Sequence, residues 1–411
     1  MAPTTPSGAS SRRAGILRAL AALAVAVLAV ALAVALRPGA ARADVTRNWY
    51  GAAPYVMPLD NAPPDLSQVM AATSQKSFEL AFILASGNSC SPAWDGTAPV
   101  SSDTAVGAVI NTVRAAGGDV SISIGGYNGT KLGQVCSGAA ATAAAYQQVI
   151  SKYSLKAIDF DLEEPEYENS AAVSNELGAA QILQRNNPGL YVSVTTAGTA
   201  SGTGWFGTQM LNTAKGLGFT PDNYAIMQFD GGFSGSSSQI SALENFHSLL
   251  MSTFGWDGAT AYQHEGFSGM NGRSDSGEYF SQADFQAVLN YATSHHLSRF
   301  TFWSVNRDRQ CVPPDNNGRT SGTCSSVAQG AWDFTRFTAA FAGATPPTSP
   351  PTTPPTSPPP GTCTAPAWNA TTAYNGGAVV SYQTHTWQAK WWTYADVPGG
   401  PAGVWADQGA C

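Results

Sequence analysis

Charge is scarce in this 411-residue chain: Asp, Glu, Lys and Arg together make up 11%, against roughly 25% in an average soluble domain. Positive charge is scarcest. The first 43 residues hold five Arg and no acid, which leaves 15 basic against 27 acidic residues beyond them, a net of −12. Nucleic-acid phosphates need clustered Lys and Arg, and anionic lipid needs a basic face; this composition supplies neither. Zinc spacing is absent, because no C-x-x-C occurs and the five His form no H-x-x-x-H pair. No G-x-G-x-x-G follows the first strand signal, and no G-x-x-x-x-G-K-[ST] occurs anywhere. No metal and no cofactor is expected.

Apolar residues are plentiful, at 43% with 11 Trp, and argue for packed cores. Residues 1–43 read as an export signal. Arg12 and Arg13 supply the positive start, Ala19 to Leu36 is unbroken apolar, and Ala41-Arg42-Ala43 precedes a cut before Asp44. The 18-residue run also meets the length of a membrane span, so an uncleaved anchor is the alternative. With the signal removed, the chain is expected to be secreted, extracellular, monomeric and free of the membrane. All six Cys follow the signal and are expected as disulfides. Of 15 possible pairings, the domain boundaries favour Cys311–Cys324 and Cys363–Cys411, leaving Cys90–Cys136.

Thr345 to Pro360 is sixteen residues of Pro, Thr and Ser only. Such a segment has nothing to bury and spans roughly 50 Å as an extended spacer. The chain is therefore divided into a signal (1–43), a large body (44–342), a linker (343–361) and a small body (362–411). Strand signals in the large body are Asn48–Met57, Phe78–Ala85, Val120–Gly125, Ala157–Glu163, Tyr191–Thr195, Tyr224–Phe229, Ala259–His264 and Phe300–Trp303. Helical patterns such as Val106–Ala116, Ala139–Tyr153, Ala171–Arg185 and Ala283–His295 lie between them. Eight alternations suit an α/β fold of the (β/α)8 TIM-barrel type, with a doubly wound open sheet as the alternative.

The fourth strand carries the chemistry. In Ile158-Asp159-Phe160-Asp161-Leu162-Glu163, strand alternation puts Asp159, Asp161 and Glu163 on one face. Three carboxylates facing a barrel interior repel one another, so at least one should keep its proton at neutral pH and be able to protonate a leaving group. Glu163 comes last, at the C-terminal strand end where barrel chemistry sits. A solvated acidic strand end and a hard-cation site are the competing readings.

This segment resembles the D-x-x-D-x-D-x-E signature of glycoside hydrolase family 18, the chitinase family. Ser121-Ile122-Ser123-Ile124-Gly125-Gly126 resembles that family's third strand, Phe302-Trp303-Ser304-Val305-Asn306-Arg307-Asp308 its eighth-strand end in bacterial members, and Ala53-Pro54-Tyr55-Val56 its first strand. The resemblance implies a substrate-assisted retaining mechanism on chitin and N-acetylglucosamine oligomers, one of the exceptions to the two-carboxylate scheme. Glu163 would protonate the glycosidic oxygen, Asp161 would orient the substrate's acetamide, and Asp159 would share a proton with Asp161. Trp303 would floor the sugar site, and Tyr55, Met227, Gln228 and Asp230 would line it. The chain departs from the family at Lys156 and Ala157, where the signature begins Asp-Gly. It departs again at Met227-Gln228-Phe229-Asp230, where many members carry a Tyr; Phe229 is read as core packing. An endo-β-N-acetylglucosaminidase and a non-catalytic chitin-binding lectin are the alternatives.

The small body has eight Trp and Tyr in about 50 residues, more than so small a core can hide. Its Gln388-Ala389-Lys390-Trp391-Trp392-Thr393 string resembles carbohydrate-binding module families 5 and 12, which implies a small all-β, chitin-binding module. Trp391 and Trp392 are expected on the binding face, with Trp405 as a third.

Overall fold

The computed structural model describes residues 45–344 and 365–410, apart from positions 371, 384 and 401. The expected signal, nearly all of the spacer and the expected Cys363–Cys411 bridge lie outside the described residues. Internal contacts divide the chain into two compact units, Met1–Thr345 and Pro346–Cys411.

Eight parallel strands form the centre of the large unit. They are β1 (Tyr55–Val56), β2 (Ser77–Ala85), β3 (Asp119–Gly125), β4 (Ala157–Leu162), β5 (Tyr191–Ala197), β6 (Asn223–Met227), β7 (Glu265–Met270) and β8 (Arg299–Trp303). Each pairs with its chain neighbour from β1 to β8. Thr301 of β8 donates to Ala53 O at 2.5 Å, just ahead of β1, and so brings the last strand beside the first. A helix follows every strand: Leu66–Thr73, Ala105–Ala115, Ala139–Tyr153, Ser170–Asn186, Gly204–Leu217, Gly235–Phe254, Gln282–His295 and Asp333–Phe341. This is a (β/α)8 barrel.

Local chemistry explains the element ends. Before Ser170–Asn186, the Asn169 side chain accepts from the Ala171 and Ala172 amides, a side-chain cap of the first turn. The same helix buries Val173, Leu177, Ala180 and Leu183, one stripe at helical spacing. On β4, Ile158, Phe160 and Leu162 point outward into the shell between sheet and helices. There Tyr146 meets Phe160 edge-on, with ring centroids 5.6 Å apart.

Two strand expectations are corrected. Ala259–His264 is not the seventh strand: Gly258–Tyr262 is a short helix, started by Asp257 accepting from Thr260 N, and β7 begins at Glu265. Within Asn48–Met57, Arg47–Gly51 is helical and only Tyr55–Val56 is strand. Cys90 pairs with Cys136 and Cys311 with Cys324.

The barrel interior is polar at mid-height. Arg299 is fully buried there, paired with Glu79 and 3.7 Å from Asp159 Oδ1. Gly266 makes the room: a Cβ at this position would sit 2.8 Å from Arg299 Cβ and 3.0 Å from Ala225 Cβ.

In the small unit, Val379–Tyr382, His385–Ala389 and Trp405–Ala410 form an antiparallel sheet, and Ala373–Tyr374 pairs with Thr393–Tyr394. Its core is Val380, Ala389, Val404 and Trp405.

Replacing Arg299 by Met leaves the buried Glu79 and Asp159 carboxylates without their cation. We expect a loss of about 3–5 kcal/mol of unfolding free energy, read by urea denaturation of the large unit.

Candidate active site

The strand register stacks the acids. Asp159 sits beside Ser123 of β3 and Ser193 of β5, and Asp161 sits one layer higher beside Gly125 and Thr195. Asp159 is fully buried and densely bonded. It accepts from Tyr55 OH at 3.0 Å, Ser123 Oγ at 2.9 Å, Ser193 Oγ at 2.6 Å and Thr195 Oγ1 at 3.0 Å. These hydroxyls and Arg299 surround Asp159 with donors at the floor of the stack. Asp161 has no such shell: it is 3% exposed, and its Oδ1 has no hydrogen-bond partner among the described residues. Burial pushes its carboxyl well above the usual range, helped by the charges of Glu163, Asp159 and Glu79 and opposed by Arg299. Glu163 follows at the strand end and is pushed up to about 7. Burial is the main cause; Lys131 opposes it, while Glu164, Asp230 and Asp275 add to it.

Above these acids opens a cleft of about 990 Å³. Tyr55, Asp161, Glu163, Met227, Asp230 and Trp303 all line it. Asp159 does not line it and supports it from below. Trp303 stacks on Phe82 (centroids 5.6 Å, planes 11° apart) and tilts against Tyr55 at 6.1 Å. The three rings make one apolar wall. Gly125 is obligatory beside the acids: its φ is 100°, and a Cβ would lie 2.2 Å from Asp161 O.

Three expectations are corrected here. Gln228 does not line the cleft. Strand alternation turns it outward, where it is fully buried and its Nε2 donates to Gln239 O at 2.9 Å. Phe229 is not purely core, because it lines the cleft edge. Trp405 is 5% exposed, with its Nε1 bonded to Asp396 O at 2.8 Å, and is therefore core rather than binding face. Trp391 at 55% and Trp392 at 62% are exposed, and so is Tyr394 at 53%, which the sequence reading did not single out.

Other residues brought to the cleft came from segments without a strand motif. Phe82 lies in the apolar second half of β2, where nothing in the sequence set it apart from its neighbours. Tyr127 follows Gly125-Gly126, an aromatic beside a glycine turn, and this adjacency was the available signal. Asp275 and Ser276 arrive on the hairpin after β7. That hairpin also carries Glu278, whose carboxylate accepts from the backbone N–H groups of Asp230 (2.6 Å), Gly232 (2.8 Å) and Phe233 (2.7 Å). Asp230 in turn accepts from Ser276 N at 2.6 Å and holds a φ of 56°. The cleft wall after β6 is thus tied to the hairpin after β7. Among the described residues no group of three or more His, Cys, Asp or Glu could hold a metal ion. The arrangement offers a proton donor, a second acid with a free acceptor oxygen, and an aromatic wall.

A family model, carbohydrate-binding module family 5/12, matches residues 367–406. Over 280 residues the chain is 28% identical to a probable bifunctional chitinase/lysozyme of Escherichia coli strain K12, a match covering 62% of this chain and 30% of that protein. Over 281 residues it is 25% identical to endochitinase 11 of Metarhizium anisopliae, covering 62% of this chain and 52% of that one. The chain thus spans about a third and about half of these two relatives. Among solved structures, the catalytic domain of a hyperthermophilic chitinase from Pyrococcus furiosus superposes with a TM-score of 0.64 at 26% identity, over 71% of this chain and 94% of that one. The large unit, with its acid stack on β4 and its aromatic wall, is thus similar to these chitinases, and residues 367–406 match the family 5/12 carbohydrate-binding module.

Proposed function

We propose that the protein is a secreted chitinase that hydrolyses β-1,4 bonds between N-acetylglucosamine units by a substrate-assisted, retaining route. The observation that carries this reading is the unequal treatment of the three stacked acids. Asp159 is saturated with hydrogen bonds, Asp161 keeps an unpartnered oxygen, and Glu163 opens on the cleft with its proton affinity raised to about 7. Glu163 then delivers its proton to the glycosidic oxygen as the C–O bond breaks. The substrate's 2-acetamido carbonyl oxygen closes on the anomeric carbon and forms an oxazolinium ion. Asp161 accepts the acetamide N–H and, its proton passed to Asp159, balances the positive ring. Water then adds to the anomeric carbon on the face that the departing sugar left, with Glu163 taking up its proton. Trp303, Phe82 and Tyr55 provide the apolar wall for the sugar and the acetamide methyl.

The small unit supports an insoluble substrate. Trp391, Trp392 and Tyr394 present apolar faces to solvent in a 50-residue body whose core is already filled by other residues, and such faces pack on the C–H faces of pyranose rings. The Ala19–Leu36 run and the two bridges in the large unit accord with export.

Activity and anchoring should separate. Glu163→Gln should lower turnover of chitin oligomers by at least about 10²-fold while the protein still pellets with chitin. Joint Trp391→Ala and Trp392→Ala replacement should leave oligomer turnover intact and release the protein from chitin. Full activity in the Gln variant would end the proposal. Asp161→Asn should lower kcat by about 10²-fold with a smaller change in KM, because its interaction strengthens as positive charge develops; steady-state kinetics on chitobiosides reads the split.

A further inference from the structure

Two loops of the cleft rim are joined by a pair of acids, each bonded to the other's backbone. The loop after β6 is anchored at both ends: Gln228 N donates to Ser268 O at 2.8 Å, and Ser234 N to Ser238 Oγ at 2.8 Å. Between these ends, three amides turn to one side chain on the hairpin after β7. Glu278 Oε2 accepts from Asp230 N at 2.6 Å, and its Oε1 accepts from Gly232 N at 2.8 Å and Phe233 N at 2.7 Å. In return, Asp230 Oδ1 accepts from Ser276 N at 2.6 Å. Converging backbone N–H groups favour a charged acceptor. Both carboxylate oxygens of Glu278 are in use, so a neutral amide there could serve only part of the set.

The two partners are not held equally. The hairpin has supports of its own. Arg273 N donates to Ser325 O at 2.8 Å, and Thr320 Oγ1 to Ser274 O at 2.6 Å. The buried Arg307 guanidinium donates to Asn271 O at 2.8 Å and Arg273 O at 2.6 Å. It also donates to Ser321 O at 2.6 Å, inside the loop that the Cys311–Cys324 bridge closes. A Cβ on Gly272 would lie 1.9 Å from Ser325 O, so the hairpin is seated directly on that loop. The middle of the loop after β6 relies instead on Glu278. Asp230 there has a φ of 56°, a left-handed conformation that a residue with a side chain keeps only where its surroundings hold it.

The position of Asp230 matters because this residue lines the cleft, beside Phe229 on its own loop and Asp275 and Ser276 on the hairpin. Its Oδ1 is spent on Ser276 N, which leaves Oδ2 as the acceptor for a sugar. We propose that Glu278 is a positioning residue for substrate binding: by filling the amide nest of the loop after β6, it fixes Asp230 in the turn that offers Oδ2 to a hydroxyl of the bound N-acetylglucosamine chain. The hairpin, bolted to the loop after β8, is the fixed reference, and Glu278 transmits its position to Asp230 without touching the substrate.

The inference rests on the reading of the cleft as a chitin-oligomer site, and steady-state kinetics on chitotetraose keeps the two separable. Asp230→Asn retains an oxygen for Ser276 N and a side chain that tolerates the left-handed turn, but puts an amide nitrogen in place of Oδ2. It should raise KM about fivefold, with a smaller change in kcat. Glu278→Gln should give a similar rise in KM and the same split, although every group that lines the cleft is retained. Added to Asp230→Asn, Glu278→Gln should raise KM by less than about twofold more, because the residue acts through Asp230. A residue needed only for the stability of the rim would give effects that multiply. Glu278→Ala, which leaves the three amides to water, replaces the Gln variant if circular dichroism shows the latter unfolded. A folded Glu278 variant with unchanged KM overturns the proposal, and so do KM effects that multiply in the double variant. A wild type that does not cleave chitotetraose refutes the reading as a hydrolase. The same comparison is then made by calorimetric Kd, in the full chain carrying Trp391→Ala and Trp392→Ala, with the same non-additive pattern expected. An oligomer that is neither cleaved nor bound there overturns both.

Discussion

A carboxylate inside a protein must either face a cation and hydrogen-bond donors or keep its proton. The barrel applies both solutions along one strand. At the floor, Arg299 and four hydroxyls stabilise Asp159. One layer up the donors run out, and Asp161 is left with a bare oxygen. At the strand end Glu163 opens on the cleft, and burial pushes its carboxyl up to about 7. The gradient of satisfaction, dense below and sparse above, gives three chemically similar side chains three different environments, and on the proposed function these fit a support, an acceptor and a proton donor.

The rest of the large unit serves that gradient. Gly266 gives up a side chain so that Arg299 can lie across the barrel, and Gly125 gives one up so that the chain can turn beside Asp161. Glu278 closes on three amides of the loop after β6 and so orders Asp230 at the cleft wall. Lys131 donates to Tyr127 O and so braces the turn that carries Tyr127 to the cleft. None of these groups touches the bond to be broken, yet each sets the position or the protonation of one that does.

How much of this was legible in the sequence depended on the range of the interaction. The acids of β4 were readable because a two-residue period puts them on one face whatever the surrounding fold. The same rule explains Gln228: it neighbours Met227, which faces the cleft, so its own side chain must point away. β7 was hidden because Glu265-Gly266-Phe267-Ser268-Gly269-Met270 spends two of six positions on glycine, which lowers its strand signal. The nearby Ala259–Tyr262 stretch looked more strand-like, but Asp257 caps it as a helix. Trp405 could not be told from Trp391 by composition, since in a small sheet aromatics serve both the core and the exposed face. Phe82 on β2 and Glu278 on the hairpin after β7 come from distant parts of the chain, and only the closed barrel brings them together.

The account stands on Glu163 holding its proton through the neutral range because it is buried among other acids. The most direct measurement is the pH dependence of kcat/KM on a neutral chitin oligomer, which reports the essential acid of the free enzyme. An alkaline half-loss near pH 7 that disappears together with activity in the Glu163→Gln variant is the predicted result. A half-loss near the ordinary glutamate value of about 4.3 would mean that the carboxyl is solvated, and would contradict the account.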